Sequence, residues 1–129
     1  MRIAVVGARG QLAAAVVHEC APAHEVVTFS HVDLDVTDDA AVAAAMQQAR
    51  PDAIVNGAAY NDVEAAEDHP VDALNLNAFA VRALSRAAQS RGATLVPSST
   101  DFVFDGRATT AVAMQLPMTL TAVRPMSIT

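Results

Sequence analysis

Arg2-Ile3-Ala4-Val5-Val6 sets four apolar residues in a row behind one charge, with no polar alternation. Such a run predicts a strand buried on both faces of a parallel sheet. Gly7 and Gly10 break it, and residues 12–20 then follow helical spacing, with Leu12, Val16, Val17 and Cys20 on one side. Pro22 closes that helix. Residues 25–29 form a second short apolar run, followed by an acidic, turn-like stretch over residues 33–39. Thr37 or Asp38 can N-cap the next helix, residues 40–49. Arg50-Pro51-Asp52 stops it, and residues 53–56 read as a third strand. Helical spacing returns over residues 63–68 and over a long stretch, residues 71–91, which Gly92 is placed to end. Residues 94–97 give a fourth strand, and residues 98–106 a loop.

Short apolar strands alternating with amphipathic helices give the order β-α-β-α-β-α-β. Parallel strands joined by right-handed helical crossovers make an α/β, doubly wound parallel sheet. A length of 129 residues predicts one domain. The core is built from Val, Leu, Ile and Ala, because aromatics are scarce: four Phe, one Tyr and no Trp. Net charge is −6, every cation is an arginine, and no basic stripe offers itself to a nucleic-acid backbone. Cys20 is the single cysteine, which excludes an internal disulfide and fits a reducing compartment. No stretch approaches the roughly 20 apolar residues of a membrane span. The opening residues are too short and too glycine-punctuated for a signal peptide. A cytoplasmic location is the expectation.

The first strand runs directly into Gly7-Ala8-Arg9-Gly10-Gln11-Leu12-Ala13, where a helix begins. A Gly-x-x-Gly turn lets backbone pass close to a pyrophosphate, and the helix N-terminus adds free N–H groups and the positive end of its dipole. Ala13 stands at the third glycine position and still permits close packing of helix on strand. The pattern is Rossmann-like and points to NADPH or NADH. The second strand ends Thr28-Phe29-Ser30-His31, with neither the acidic residue that favours a ribose hydroxyl nor the arginine that favours a phosphate. Ser30 and His31 are the residues there that can meet a phosphate.

Three later motifs join the glycine loop: Leu34-Asp35-Val36-Thr37-Asp38, the run from Val55-Asn56-Gly57-Ala58-Ala59-Tyr60-Asn61-Asp62 to Glu67, and Ser98-Ser99-Thr100-Asp101-Phe102-Val103-Phe104-Asp105-Gly106. Together, in this order and spacing, they resemble the dTDP-4-dehydrorhamnose reductases of the extended short-chain dehydrogenase/reductases, over residues 1–106. The resemblance implies reduction of a 4-keto-6-deoxy nucleotide sugar with NAD(P)H, and leans toward NADPH. It implies that Gly7, Gly10, Gln11 and Leu12 hold the cofactor's phosphates and that Asp35 and Val36 border its adenine. Ala58, Ala59 and Tyr60 would line the cofactor after the third strand, and Asn77 would approach it from the long helix. Thr100, with Asp101 beside it, would be the hydroxyl member of the catalytic set. Their position after a buried strand supports this independently, since a hydroxyl at the sheet's carboxyl edge can donate to a carbonyl oxygen as negative charge develops. Phe102 stands where the family usually has tyrosine.

The family's acid is a tyrosine followed four residues later by a lysine. These 129 residues contain no lysine, and Tyr60 has Glu64 four positions on. Residues 107–129 read as a divergent or truncated tail, and a frameshifted reading of its last six residues is one explanation. Beside the family, the sheet is therefore incomplete, lacking the C-terminal substrate-binding portion, and these residues alone are expected to be inactive as a reductase. His18, His24, His31 and His69 are scattered, without the short ligand spacing of a zinc site. Two other functions compete. One is a non-catalytic, cofactor-binding regulatory subunit similar to the methionine adenosyltransferase β subunit; the other is a nucleotide-sugar epimerase. An exposed sheet edge makes self-association, as in a homodimer, an expectation to test.

Overall fold

The structure, a computed structural model, describes residues 1–99. Four parallel strands, β1 (Arg2–Val6), β2 (Glu25–Phe29), β3 (Ala53–Asn56) and β4 (Thr94–Pro97), form one sheet in the order β2-β1-β3-β4. The helices are α1 (Gln11–Cys20), α2 (Asp39–Ala49), α3 (Val63–Asp68), α4 (Pro70–Leu74) and α5 (Ala80–Arg91). The doubly wound α/β class read from the sequence is the class observed, and the strand bounds coincide with those read from the apolar runs.

β1 shows why an unbroken apolar run was needed. Ala4 and Val6 face one side, joining Val42 and Met46 of α2, Leu84 of α5, and Ile54 and Leu95 of the neighbouring strands. Ile3 and Val5 face the other, against Ala13, Val16, Val17 and Cys20 of α1. A polar residue at any of these four positions of β1 would sit in one core or the other without a partner. The α2–α5 layer is the thicker, and the ion pair Asp39–Arg86, 3.6 Å at its exposed edge, links those two helices. The α1 layer is thinner: Val96 of β4, register partner of Val55, is 44% exposed on that side.

Two local features differ from the sequence expectation. In α1 the buried position is Ala13, 1% exposed, whereas Leu12 is 53% exposed and stands outside the apolar stripe predicted for it. The helix lies so close to β3 that only a methyl fits: a Cβ built on Gly57 would be 3.1 Å from the Cβ of Ala13. Leu12, one residue and about 100° round the helix, is turned away. The long helix is also not continuous. It opens at Pro70 and contains a π-helical segment, Asn75–Phe79, in which Ala80 N–H bonds to the carbonyl of Asn75, five residues back. Gly92 ends α5 as expected, with φ of 69° in the left-handed region.

The helix caps follow from side-chain chemistry. Asp38, rather than Thr37, caps α2, its Oδ1 accepting from the N–H groups of Ala40 and Ala41 at 2.9 and 3.0 Å. Asp62 does the same for α3 through Ala65 N–H. Glu64, Glu67 and Asp68 are exposed. No helix among the described residues is long and apolar enough to cross a membrane.

A candidate dinucleotide cleft at the carboxyl end of the sheet

From β1 the chain passes first to β2 on one side, then returns across the sheet to β3 on the other. The connections therefore diverge at the carboxyl end of β1, leaving a crevice where open α/β sheets bind ligands. A cleft of about 430 Å³ lies there, within the range of roughly 300–1,000 Å³ typical of ligand pockets.

One wall is backbone. Gly7 has φ of +75°, and a Cβ on it would lie 2.7 Å from the N of Ala58 and the C of Gly57. No L-side chain fits, so the two loops leaving β1 and β3 touch through main chain alone. The carbonyl of Phe29, the last residue of β2, accepts from both Gly7 N–H (2.9 Å) and Ala8 N–H (3.1 Å), which stitches the glycine loop to β2. Gly10 N–H bonds to the Gly7 carbonyl, and Gly10 then starts α1 with no side chain capping its first turn. The free N–H groups and positive dipole end of α1 are left for a ligand's negative charge.

The opposite wall is held by carboxylates acting on their own loop. Asp35 Oδ1 accepts from the hydroxyl and N–H of Thr37 at 2.6 and 2.9 Å. Asp33 Oδ2 accepts from the hydroxyl and N–H of Ser30 at 2.6 and 2.9 Å. The Thr37 hydroxyl, then its N–H, hold the Asp35 carboxyl below the ordinary aspartate value. The Ser30 hydroxyl and N–H do the same for Asp33, with smaller help from the charges of Arg9 and His31. Both side chains are thus fixed anions that shape a tight turn between β2 and α2. Between the walls lie Phe29, Leu34, Val36 and Leu76, an apolar slot suited to a flat heteroaromatic ring.

The floor is positioned by amides. Asn56, 3% exposed at the end of β3, accepts Ala58 N–H through Oδ1 at 3.1 Å, and its carbonyl accepts the Ser98 hydroxyl at 3.1 Å. Asn77 Oδ1 accepts Tyr60 N–H at 2.8 Å, and its Nδ2 donates to the Tyr60 carbonyl at 3.2 Å. This two-way contact works like one rung of a β-ladder and clamps the β3–α3 loop to the π-helical segment.

Of the residues singled out in the sequence, Gly7, Gly10, Asp35, Val36, Ala58 and Ala59 line the cleft together. Gln11, Leu12, Tyr60 and Asn77 are not among its lining. Thr100 and Asp101 lie outside the described residues. Arg9, Phe29, Leu34, Thr37, Asn61 and Leu76 line the cleft without having been singled out. Phe29 and Leu76 were legible as apolar residues at a strand end and on a helix, but nothing in their spacing aimed them at a ligand. Among the described residues, no three His, Cys, Asp or Glu side chains gather in a way that would hold a metal ion.

Comparison with known proteins shows the family and the fold. The dTDP-4-dehydrorhamnose reductase of Sinorhizobium fredii is 40% identical over 106 residues, covering 82% of this chain and 36% of that protein. A probable dTDP-4,6-dihydroxy-2-methyloxan-3-one 4-ketoreductase of Streptomyces antibioticus is 41% identical over 119 residues, 91% of this chain and 40% of that protein. The crystal structure of dTDP-4-dehydrorhamnose reductase from Bacillus anthracis in complex with NADP superposes with a TM-score of 0.77 at 35% identity, over 83% of this chain and 38% of that one. The chain thus spans somewhat more than a third of the length of the curated relatives it matches. The family model described as the RmlD substrate binding domain matches residues 1–119, and the chain belongs to that family.

Proposed function

We propose that this chain is the cofactor-binding part of a cytoplasmic NAD(P)H-dependent reductase acting on a 4-keto-6-deoxy nucleotide sugar. The observation that carries the proposal is the meeting of Gly7 with Gly57 and Ala58 at the switch point. That contact forbids a side chain, so main chain alone borders the approach to the first turn of α1. The names of the relatives, and the NADP in one of them, supply the substrate and cofactor class.

A bound nicotinamide would supply hydride to the ketone carbon. In this proposal Gly7, Gly10 and the N–H groups of Gln11 and Leu12 hold the pyrophosphate. Asp35 and Val36 border the adenine, with Phe29, Leu34 and Leu76 enclosing it. Ala58 and Ala59 leave room for the ring near the reacting centre. Tyr60 and Asn77 fix that loop by the two hydrogen bonds between them, acting as positioning residues. Thr100 would donate its hydroxyl to the ketone oxygen, and Asp101 would stand beside it. Residues 1–106 form the cofactor-binding unit on this proposal. The 129 residues contain no lysine, so they include no tyrosine–lysine pair to deliver the proton.

Thermal unfolding with and without NADPH or NADH tests the proposal. A ligand that binds only the folded chain at a hundredfold excess over Kd adds about 2.7 kcal/mol, which a shifted midpoint reports. An unshifted midpoint with both nucleotides, in a chain shown to be folded, would overturn it. Turnover of a 4-keto nucleotide sugar is not expected from these 129 residues alone.

A further inference from the structure

At the floor of the cleft an asparagine is followed by a glycine, Asn56-Gly57. Each residue suits the fold for its own reason. Asn56, the last residue of β3, pairs with Val6 and is 3% exposed. Its Oδ1 accepts Ala58 N–H at 3.1 Å, which no apolar side chain could do. At Gly57 a Cβ would stand 3.1 Å from the Cβ of Ala13 and 3.1 Å from the Val6 carbonyl oxygen, so the close seat of α1 on β3 favours glycine. Together the two residues make a reactive dipeptide. Asparagine is thermolabile, and a following nitrogen with no Cβ beside it reaches the side-chain amide carbon with the least hindrance.

In that reaction the Gly57 nitrogen bonds to Asn56 Cγ and the Cγ–Nδ2 bond breaks. Nδ2 leaves as ammonia, taking the proton of the Gly57 N–H. Water then opens the five-membered imide. Hydrolysis at the bond to Cγ gives aspartate, and hydrolysis at the bond to the main-chain carbonyl carbon gives an isoaspartyl link through Cβ. The folded chain blocks each step. Gly57 N–H is donated to the Val6 carbonyl at 2.9 Å. The extended backbone of β3 turns that nitrogen away from the Asn56 side chain, which Ala58 N–H pins in place. Burial of Asn56 keeps water away. Local opening of the β1–β3 contact releases these restraints together.

We propose that Asn56 is a deamidation site held closed by the fold, so that its conversion records how often the carboxyl ends of β1 and β3 come apart. The product disables the place where it forms. An isoaspartyl link adds Cβ to the main chain where Gly7 already leaves no room, a Cβ there lying 2.7 Å from Ala58 N and Gly57 C. The extra length and the new carboxylate both fall beside the loop offered to a dinucleotide's phosphates. The site itself stands on the Asn56-Gly57 geometry alone; the loss of binding that follows modification rests on the cofactor reading above.

Ageing the whole 129-residue chain in mildly alkaline buffer, folded and in guanidinium chloride, tests this. Tandem mass spectrometry reads amide loss at Asn56 against Asn61, Asn75 and Asn77, none of which precedes a glycine, and isoaspartyl methyltransferase labelling identifies the product. In denaturant Asn56 should convert at least about tenfold faster than the other three, and Gly57→Ala should remove that lead whether or not the variant folds. Folding should slow Asn56 by at least about tenfold, and saturating NADPH should slow it further. Returned to buffer, the isoaspartyl chain should bind NADPH at least about tenfold more weakly than the unmodified chain. Conversion at Asn56 no faster than at the others in denaturant, or as fast folded as unfolded, would overturn the site. An isoaspartyl chain that binds NADPH as the unmodified one does would overturn the disabling of the cleft. If the unmodified folded chain binds neither dinucleotide, the cofactor reading falls, and the folded and unfolded rates still decide the site.

Discussion

The two walls of the cleft are built on opposite principles. On the β1–β3 wall the backbone does the work, and side chains are excluded because Gly7, Gly57 and Ala58 meet within van der Waals distance. On the β2 wall the backbone is ordinary, and paired side chains, Ser30 with Asp33 and Thr37 with Asp35, bend it into place. The first wall has one solution, whereas the second has interchangeable ones. Phosphate binding needs close approach to main-chain N–H groups and so belongs on the first. Discrimination between related cofactors needs variable side chains and so belongs on the second.

Substituting each wall should expose the asymmetry. Gly7→Val forces a β-branched residue to a positive φ and drives Cβ into the Gly57–Ala58 backbone. Strain and overpacking together should cost about 2–5 kcal/mol, read as a fall in the urea midpoint, and dinucleotide binding should be lost. A stable Gly7→Val chain that still binds NADPH would break the comparison. On the floor between the walls, Asn77→Ala removes both hydrogen bonds to Tyr60. It should cost about 1 kcal/mol of stability and weaken NADPH binding by about fivefold to tenfold. Asn77→Asp keeps the acceptor for Tyr60 N–H and should fall between, so equal behaviour of the two variants in calorimetry would contradict the clamp.

Away from the cleft, Asp38→Ala unmakes the cap of α2 and should cost about 1 kcal/mol by chemical denaturation without moving any nucleotide affinity. The smallest effect belongs to the β2 wall in acid. Asp33 and Asp35 are both held below the ordinary value of 3.8 in the folded chain. Each therefore stabilises the fold above that value, and its contribution fades as pH falls through the lowered folded values. Both carboxylates are exposed, so solvent screens the effect. A pH series of unfolding midpoints should fall in acid, and Ser30→Ala with Thr37→Ala should flatten part of that fall. An identical acid slope in the double variant would show that these turns carry no charge-linked stability.

How much of this was legible depended on the kind of interaction. β1 was readable because a strand interior buried on both faces admits only apolar residues, and β2 through β4 were readable as short apolar runs between turns and helices. The ends of α2 and α5 were readable because Asp38 and Gly92 satisfy local backbone needs. The π-helical segment at Asn75–Phe79 was not. It carries Asn77, whose contact with Tyr60, 17 residues away, leaves no mark on helical spacing. Leu12 misled because hydrophobicity argued for burying the larger residue, whereas the closeness of α1 to β3 selected Ala13. The glycine loop of the site was readable from Gly7 and Gly10. Arg9, between them, was not singled out, since nothing in its spacing says that it lines the cleft.

Hydrogen exchange of the whole chain with and without saturating NADPH tests the central claim most directly. If the crevice at the carboxyl end of β1 is a dinucleotide site, amides of residues 7–13, 30–37 and 57–61 should gain protection together. Those of the groove between α2 and α5, around Asp39 and Arg86, should stay unchanged. Protection confined to other parts of the chain, or absent while the chain remains folded, would contradict the claim.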